Sequence, residues 1–172
     1  MNLSSLKTIK RILDNYGLKP SRGLGQNFLV DSRAIHRLIS AAQVGKEDTV
    51  LEIGPGLGTL TQELAQRAKR VVAVEKDQKM VEILRETLSG FSNVEIIHGD
   101  ALKPNYPSPP TGGSGQASYK LVANLPYYIT APTIRKFLET DHKPTSLTLI
   151  VQKEVAQRIC AKPPRMNILA VS

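Results

Sequence analysis

The sequence predicts an α/β fold in which a mostly parallel sheet carries helices on both faces. Two observations predict it. Short runs rich in Val and Ile alternate with stretches of helical apolar periodicity, and Gly and Pro cluster between them. Such alternation is typical of strands joined by crossover helices. The 172 residues suffice for one compact domain with a substantial buried core.

Each element follows from its local pattern. Strands are predicted at residues 49–53, 70–74, 94–97, 120–123 and 146–151, and helices at residues 32–42, 59–68, 78–89, 131–139 and 153–160. The spacing of Leu3, Leu6, Ile9 and Leu13 predicts a further amphipathic helix near the start. Residues 104–118 are rich in Pro and Gly and are predicted to be a loop. Residues 167–172 have the pattern of a strand that has just begun, so we expect a chain that is incomplete at its C-terminus.

Charge and composition limit the function classes. The net charge is +8 and the pI about 9.7, with basic residues concentrated in the first 37 positions and between residues 143 and 165. Such fields attract polyanions, although a basic solvated surface is also common and does not distinguish RNA from DNA. No apolar run approaches the roughly 18–20 residues that cross a bilayer. The single cysteine, Cys160, excludes an internal disulfide, and its helical pattern predicts a buried thiol.

A glycine-rich turn follows the first predicted strand. Glu52-Ile53-Gly54-Pro55-Gly56-Leu57-Gly58 leaves that strand and enters a helix, and glycines there allow a tight turn and a close approach of ligand to backbone. Glu75 ends the second strand, where its carboxylate can accept hydrogen bonds from both ribose hydroxyls, and Asp100 ends the third, where it can accept one from an adenine amine. Together they predict an adenosine-containing cofactor. A nicotinamide dehydrogenase would also use a glycine turn and an acid, but it has no particular need for Asp100.

The segment Asn124-Leu125-Pro126-Tyr127 closes the fourth predicted strand. An exocyclic amine of adenine is a poor nucleophile because its lone pair is delocalised into the ring. Two acceptors, the Asn124 side-chain oxygen and the carbonyl of Leu125 or Pro126, can hold both amine hydrogens and stabilise positive charge that develops on the nitrogen. Tyr127 is predicted to stack on the extruded base. The segment therefore predicts methylation of an amine, without a metal and without a covalent enzyme intermediate.

Five segments carry a family resemblance. They are Leu24-Gly25-Gln26-Asn27-Phe28-Leu29, Leu51-Glu52-Ile53-Gly54-Pro55-Gly56-Leu57-Gly58-Thr59-Leu60-Thr61, Gly99-Asp100-Ala101, Asn124-Leu125-Pro126-Tyr127-Tyr128-Ile129 and Val151-Gln152-Lys153-Glu154-Val155-Ala156-Gln157-Arg158. In order and spacing they resemble the bacterial small-subunit ribosomal RNA adenine dimethyltransferases. The resemblance spans essentially the whole chain.

The resemblance implies a Rossmann-like class I S-adenosylmethionine-dependent methyltransferase fold, which in the family continues into a further strand and a small helical C-terminal domain. Residues 1–30 would form an N-terminal helix and a lid that faces cofactor and RNA, and residues 31–172 the incomplete catalytic domain. Catalysis would rest on Asn124, Leu125, Pro126 and Tyr127. The cofactor would be held by Gln26, Asn27, Leu29, Gly54, Gly56, Glu75, Lys76, Asp100, Ala101 and Asn124.

The resemblance also implies the reaction. Methyl groups would pass from S-adenosylmethionine to the N6 amines of two adjacent adenines in small-subunit ribosomal RNA, leaving S-adenosylhomocysteine. We expect a cytoplasmic monomer that acts on the immature 30S particle, without a membrane or a metal. Two alternatives stay open. One is a macrolide-resistance type of enzyme acting on large-subunit RNA, which shares the Gln-Asn-Phe-Leu and Asn-x-Pro-Tyr patterns, and the other is a non-catalytic RNA-binding assembly factor.

Overall fold

The computed structural model describes residue 3 and residues 5–18, 31–103 and 118–163. Six helices and five strands lie in these ranges. The helices are α1 (Leu6–Asn15), α2 (Ser32–Ala42), α3 (Thr59–Ala65), α4 (Gln78–Thr87), α5 (Tyr127–Glu139) and α6 (Lys153–Ile159), and the strands are β1 (Thr49–Ile53), β2 (Arg70–Glu75), β3 (Val94–His98), β4 (Tyr119–Asn124) and β5 (Ser146–Ile150).

The five strands form one parallel sheet in the order β3-β2-β1-β4-β5. The five strands predicted between residues 49 and 151 are all present, and their ends differ from the predicted ones by at most one residue. The chain order reverses between β1 and β4, the kind of switch point at which open α/β sheets bind ligands. Pairing between β1 and β4 stops at Leu51 and Leu121, before either strand ends. A crevice therefore opens between the two strand ends.

Helices cover both faces of the sheet, as the α/β prediction requires. On one face, apolar residues of α2 and α3, among them Leu38 and Leu64, pack against Val50 and Val71 of the sheet. On the other face, Phe137 of α5 packs with alternate residues of the same strands. The alternation arises because successive side chains of a strand point to opposite faces. The predicted Rossmann-like architecture is confirmed.

The predicted N-terminal helix is also present and packs against the site region. The buried residues Ile9, Ile12 and Leu13 of α1 lie in one cluster with Leu57 of the glycine turn and Met80 of α4. The Tyr16 hydroxyl, just after α1, donates a hydrogen bond to Glu86 at 2.8 Å. This helix thus forms part of the support beneath the turn after β1.

Two sequence predictions are wrong. Helix α5 begins at Tyr127 rather than at residue 131, because the Pro126 carbonyl accepts hydrogen bonds from the Ile129 amide at 3.2 Å and the Thr130 hydroxyl at 3.1 Å, which start the first turn. Pro132 consequently lies inside the helix rather than at its start. The Cys160 thiol is exposed, since the residue caps the end of α6 and does not continue its apolar side.

In the part of the chain that the structure describes, no helix has the length and apolar character needed to span a membrane. The predicted loop at residues 104–118 lies almost entirely outside the described residues, as does the predicted strand at residues 167–172.

Candidate functional site

A cavity of about 490 Å³ lies at the carboxyl edge of the sheet, over the crevice between β1 and β4. Its walls come from the ends of four neighbouring strands and the turns that follow them: residues 52–57 at the end of β1, residues 75–77 at the end of β2, residues 99–102 after β3, and Asn124 with Pro126 at the end of β4. These are the segments that the sequence singled out. The fold therefore brings candidate site residues that are far apart in the sequence into one cavity.

The turn after β1 is shaped by glycines in the left-handed region. Gly54, Gly56 and Gly58 have φ values of 67°, 59° and 89°. A Cβ atom at Gly58 would lie 3.1 Å from the Leu84 side chain and 3.2 Å from that of Leu88, so α4 packs directly on this glycine. At Gly54 nothing lies within 4 Å of such an atom. Gly58 is thus required for packing, whereas Gly54 leaves open space at the cavity wall.

Glu75 organises the second strand end. Its Oε1 atom accepts hydrogen bonds from the backbone amides of Lys76 at 2.8 Å and Asp77 at 2.9 Å, and its Oε2 atom accepts one from Gly56 at 3.3 Å. A carboxylate offers about four acceptor positions, so Oε2 keeps capacity for a ligand hydroxyl. Burial raises the pKa of Glu75, and the three amide donors oppose that shift.

Asp100 sits in the turn after β3. Its Oδ1 atom accepts a hydrogen bond from the Leu102 amide at 3.0 Å, and its Oδ2 atom lies 2.9 Å from the ammonium of Lys76. These two contacts lower the pKa of Asp100, with the amide making the larger contribution. Asp100 is therefore an ionised acceptor at one end of the cavity, with a cation beside it. Ala101, next to it, is buried and lines the same wall.

Glu52 is a site residue that the sequence analysis did not select. It lines the cavity with only 1% of its surface exposed, and burial raises its pKa to about 8, with the charge of Glu75 as a smaller contribution. Among the described residues its Oε2 atom has no hydrogen-bond partner. A buried acceptor without a partner is costly, so it indicates a ligand that supplies a donor. The sequence did contain a signal for this residue, because Glu52 is the acid with which the glycine motif begins.

The acceptor segment begins at Asn124, the last residue of β4, and β1 separates this strand from β2, which ends at Glu75. Asn124 is half-buried and lines the cavity, and the amide of Leu125 donates to the Ile150 carbonyl at 3.4 Å. The Pro126 carbonyl already accepts two hydrogen bonds from the first turn of α5. Of the two backbone acceptors left open by the sequence, the Leu125 carbonyl is therefore the better candidate.

Two adjacent tyrosines begin helix α5, directly after Pro126. Tyr127 is 60% exposed and Tyr128 55% exposed, and their rings meet edge to face at a centroid distance of 5.6 Å. Tyr128 lines the cavity, whereas Tyr127 does not. Tyr128 therefore belongs to the cavity wall and not to the core.

Most of the selected residues meet at this cavity: Gly54, Gly56, Glu75, Lys76, Asp100, Ala101, Asn124 and Pro126 all line it. Leu125 is buried next to Asn124. Gln26, Asn27 and Leu29 lie outside the described residues. Within those residues, no group of three or more His, Cys, Asp and Glu side chains is placed to hold a metal ion.

Comparison with known proteins decides the family. A family model described as ribosomal RNA adenine dimethylase matches residues 5–171. The chain belongs to the ribosomal RNA adenine dimethylase family. The resemblance inferred from the five segments is thereby confirmed.

Relatives of the family support this assignment. A protein of Dehalococcoides mccartyi named ribosomal RNA small subunit methyltransferase A is 45% identical over 169 residues, covering 98% of this chain and 57% of the relative. A protein of the same name from Clostridioides difficile is 43% identical over 170 residues, covering 99% of this chain and 59% of the relative. The chain thus spans a little over half the length of these two relatives.

Solved structures agree with the fold. A 23S rRNA methyltransferase, ErmE, is 35% identical with a TM-score of 0.67, covering 77% of this chain and 50% of that one. A dimethyladenosine transferase from Plasmodium falciparum is 31% identical with a TM-score of 0.65, covering 77% of this chain and 46% of that one. Both resemble this chain in fold and in sequence.

Proposed function

We propose that this chain carries the catalytic site of an S-adenosylmethionine-dependent methyltransferase that dimethylates the N6 amines of two adjacent adenines in small-subunit ribosomal RNA. The observation that carries the proposal is one cavity that is lined by Glu75 and Asp100, two acids suited to an adenosine-containing cofactor, and also by Asn124. The small-subunit names of relatives at 43–45% identity support this substrate. The partner would be the immature 30S particle in the cytoplasm.

The residues present fit the cofactor. Glu75 would accept hydrogen bonds from the ribose hydroxyls and Asp100 one from the adenine amine, while the open backbone at Gly54 and Gly56 would lie beneath the methionine part. The partnerless oxygen of Glu52 would face the methionine ammonium, which supplies the donor that this buried acceptor lacks. When bound, S-adenosylmethionine would supply the methyl group on its positively charged sulfur and leave as S-adenosylhomocysteine.

The chain's own residues would prepare the amine. The Asn124 side-chain oxygen and the Leu125 carbonyl would each accept one amine hydrogen, which withdraws the nitrogen lone pair from the ring and aims it into the cavity. The same two acceptors stabilise the positive charge that appears on nitrogen as the new N–C bond forms. The proton is then acidic enough to pass to water. Replacement of the second hydrogen after cofactor exchange can use the same pocket.

The test is methylation of unmethylated 30S particles by the 172-residue chain with S-adenosylmethionine, followed by mass spectrometry of the RNA. Dimethylated adenines at one small-subunit hairpin are expected. Asn124→Ala should reduce the rate by roughly 100- to 1,000-fold, the usual effect of removing one group that stabilises developing charge. It should leave S-adenosylhomocysteine affinity within about threefold of the parent value, because it removes the amine acceptor and none of the acids.

Asn15→Ala, a substitution at the exposed end of α1, is the matched control and should be active. Methylation of 23S RNA in place of the 30S particle would favour the large-subunit alternative. Cofactor binding without methylation of either RNA would favour a non-catalytic assembly factor. Normal turnover by Asn124→Ala would refute the role of the amide.

A further inference from the structure

Lys136 of α5 holds the turn after β3 at two points. Its ammonium donates hydrogen bonds to the carbonyl of Ala101 at 2.7 Å and to the carbonyl of Lys103 at 2.7 Å. Both acceptors belong to the turn that contains Asp100, which is far from α5 in the sequence. One side chain therefore joins the helix after the fourth strand to the turn after the third.

That turn fixes the direction of the Asp100 carboxylate. The Lys103 amide donates to the Asp100 carbonyl at 3.0 Å, and the Leu102 amide donates to the Asp100 side chain at the same distance. Ala101 lies buried in one cluster with Phe137, the residue after Lys136. The backbone that orients the carboxylate is thus held by α5 through an apolar contact and through the ammonium of Lys136.

Ala101 and Phe137 already bury apolar surface in one cluster, so packing of the turn alone does not call for an ammonium at this position. Lys136 is half-buried, which lowers its pKa, while the negative charge of Asp100 raises it. Holding a cation there has a desolvation cost, which the two carbonyls and the nearby carboxylate offset. The positive charge of Lys136 therefore interacts favourably with the carbonyls of this turn and with the Asp100 carboxylate.

We propose that Lys136 is a positioning residue, which holds the Asp100 turn in the geometry that recognises the adenine amine of the cofactor. This inference rests on the proposed function. Because α5 starts directly after Pro126, one helix connects the segment that would accept the target adenine with the turn that would read the cofactor's adenine. Loss of Lys136 should consequently affect recognition of one amine more than the stability of the fold.

The experiment compares two ligands that differ at this amine. S-adenosylhomocysteine and S-inosylhomocysteine, in which a carbonyl oxygen replaces the amine, are titrated by calorimetry into the parent chain, Lys136→Met, Lys136→Gln and the control Arg135→Met. The parent should prefer the adenosyl ligand by roughly tenfold or more, as expected for a hydrogen bond to a charged group. Lys136→Met should lower that preference at least fivefold. Arg135 is exposed and pairs with Glu139 on the same helix, so its substitution should leave the preference unchanged.

Lys136→Gln provides a graded variant, since its shorter amide can reach only one of the two carbonyls. Its preference should lie between those of the parent and Lys136→Met, and it decides the matter if Lys136→Met does not fold. Equal weakening of both ligands, or an unchanged preference in the variant that folds, overturns the role of Lys136. A parent chain that binds neither ligand overturns the proposed cofactor instead, so the two failures are distinguishable.

Discussion

The carboxylate of Glu75 accepts a hydrogen bond from the backbone amide of Gly56, which ties the end of β2 to the glycine turn after β1. The contact is 3.3 Å long and lies on the cavity wall. It places an acid with remaining acceptor capacity beside a backbone that a ligand can approach closely.

Glu75→Ala should abolish measurable cofactor binding. The substitution removes the proposed acceptor for two ribose hydroxyls, and each hydrogen bond to a charged group contributes about 1.5–3 kcal/mol. Calorimetric titration with S-adenosylhomocysteine measures the effect. The matched control is Glu95→Ala on the neighbouring strand, where the glutamate pairs with Arg70 outside the cavity and the affinity should not change. Unchanged affinity of Glu75→Ala would remove the basis for the cofactor assignment.

The two tyrosines at the start of α5 should have separable effects on RNA methylation and on cofactor binding. Tyr127→Ala should slow RNA methylation about 5- to 150-fold, the equivalent of losing about 1–3 kcal/mol of base stacking, and should leave S-adenosylhomocysteine affinity unchanged. Tyr128→Ala should weaken cofactor binding as well, because Tyr128 lines the cavity and Tyr127 does not. Parallel rate and binding measurements on both variants check this. The opposite pattern would assign the target base to Tyr128.

Sequence patterns identified the strand ends but not the arrangement of side chains around them. Gly54, Glu75 and Asp100 could be selected because parallel strands bring their carboxyl ends to one edge, so position along the strand was enough. Tyr127 was predicted to stack on the base, but the place of Tyr128 in the cavity wall did not follow from the sequence. Adjacent residues on a helix point about 100° apart, and the register depends on where α5 begins.

Contacts between segments that are far apart in the chain could not be predicted from the sequence either. The hydrogen bond from Lys136 to the Ala101 carbonyl joins residues on different elements, and no local pattern encodes it. Glu52 was passed over for a different reason. Its place inside a buried strand favours a structural role as long as the cavity beside it is unknown. A glutamate is nevertheless rarely buried, so its presence in that strand was already unusual. Cys160 shows the reverse error, since the apolar helical pattern predicted a buried thiol and the residue is exposed at the end of α6.

Gly58→Ala should destabilise the protein more than Gly54→Ala. At Gly58 the new methyl group meets Leu84 and Leu88 and the backbone must hold a positive φ, whereas at Gly54 only the φ is unfavourable. We expect about 2–4 kcal/mol for Gly58→Ala and about 1–2 kcal/mol for Gly54→Ala. Urea unfolding measures both. Equal losses would show that α4 moves to accommodate the methyl group.

Glu52→Gln should remove a pH dependence of stability. Burial raises the pKa of Glu52 to about 8, well above the ordinary value of 4.5 for a glutamate. Stability from this group is therefore fully present below about pH 4.5 and is lost as the pH rises through about 8, because only the unfolded chain ionises freely in that window. The loss is at most about 1.4 kcal/mol for each pH unit. Urea midpoints of the parent should fall between pH 5 and pH 8, and those of Glu52→Gln should fall less.

The difference between the two chains isolates Glu52, because other groups, including Glu75 with its own raised pKa, titrate in both. Glu47→Gln is the control, since Glu47 is 88% exposed and should keep the parental slope. Bound cofactor should add a second effect. A methionine ammonium beside Glu52 favours the carboxylate, so S-adenosylhomocysteine affinity should rise between pH 6 and pH 8 in the parent and stay flatter in Glu52→Gln. Equal pH slopes of stability in the two chains would mean that Glu52 is ionised in the folded protein without a ligand.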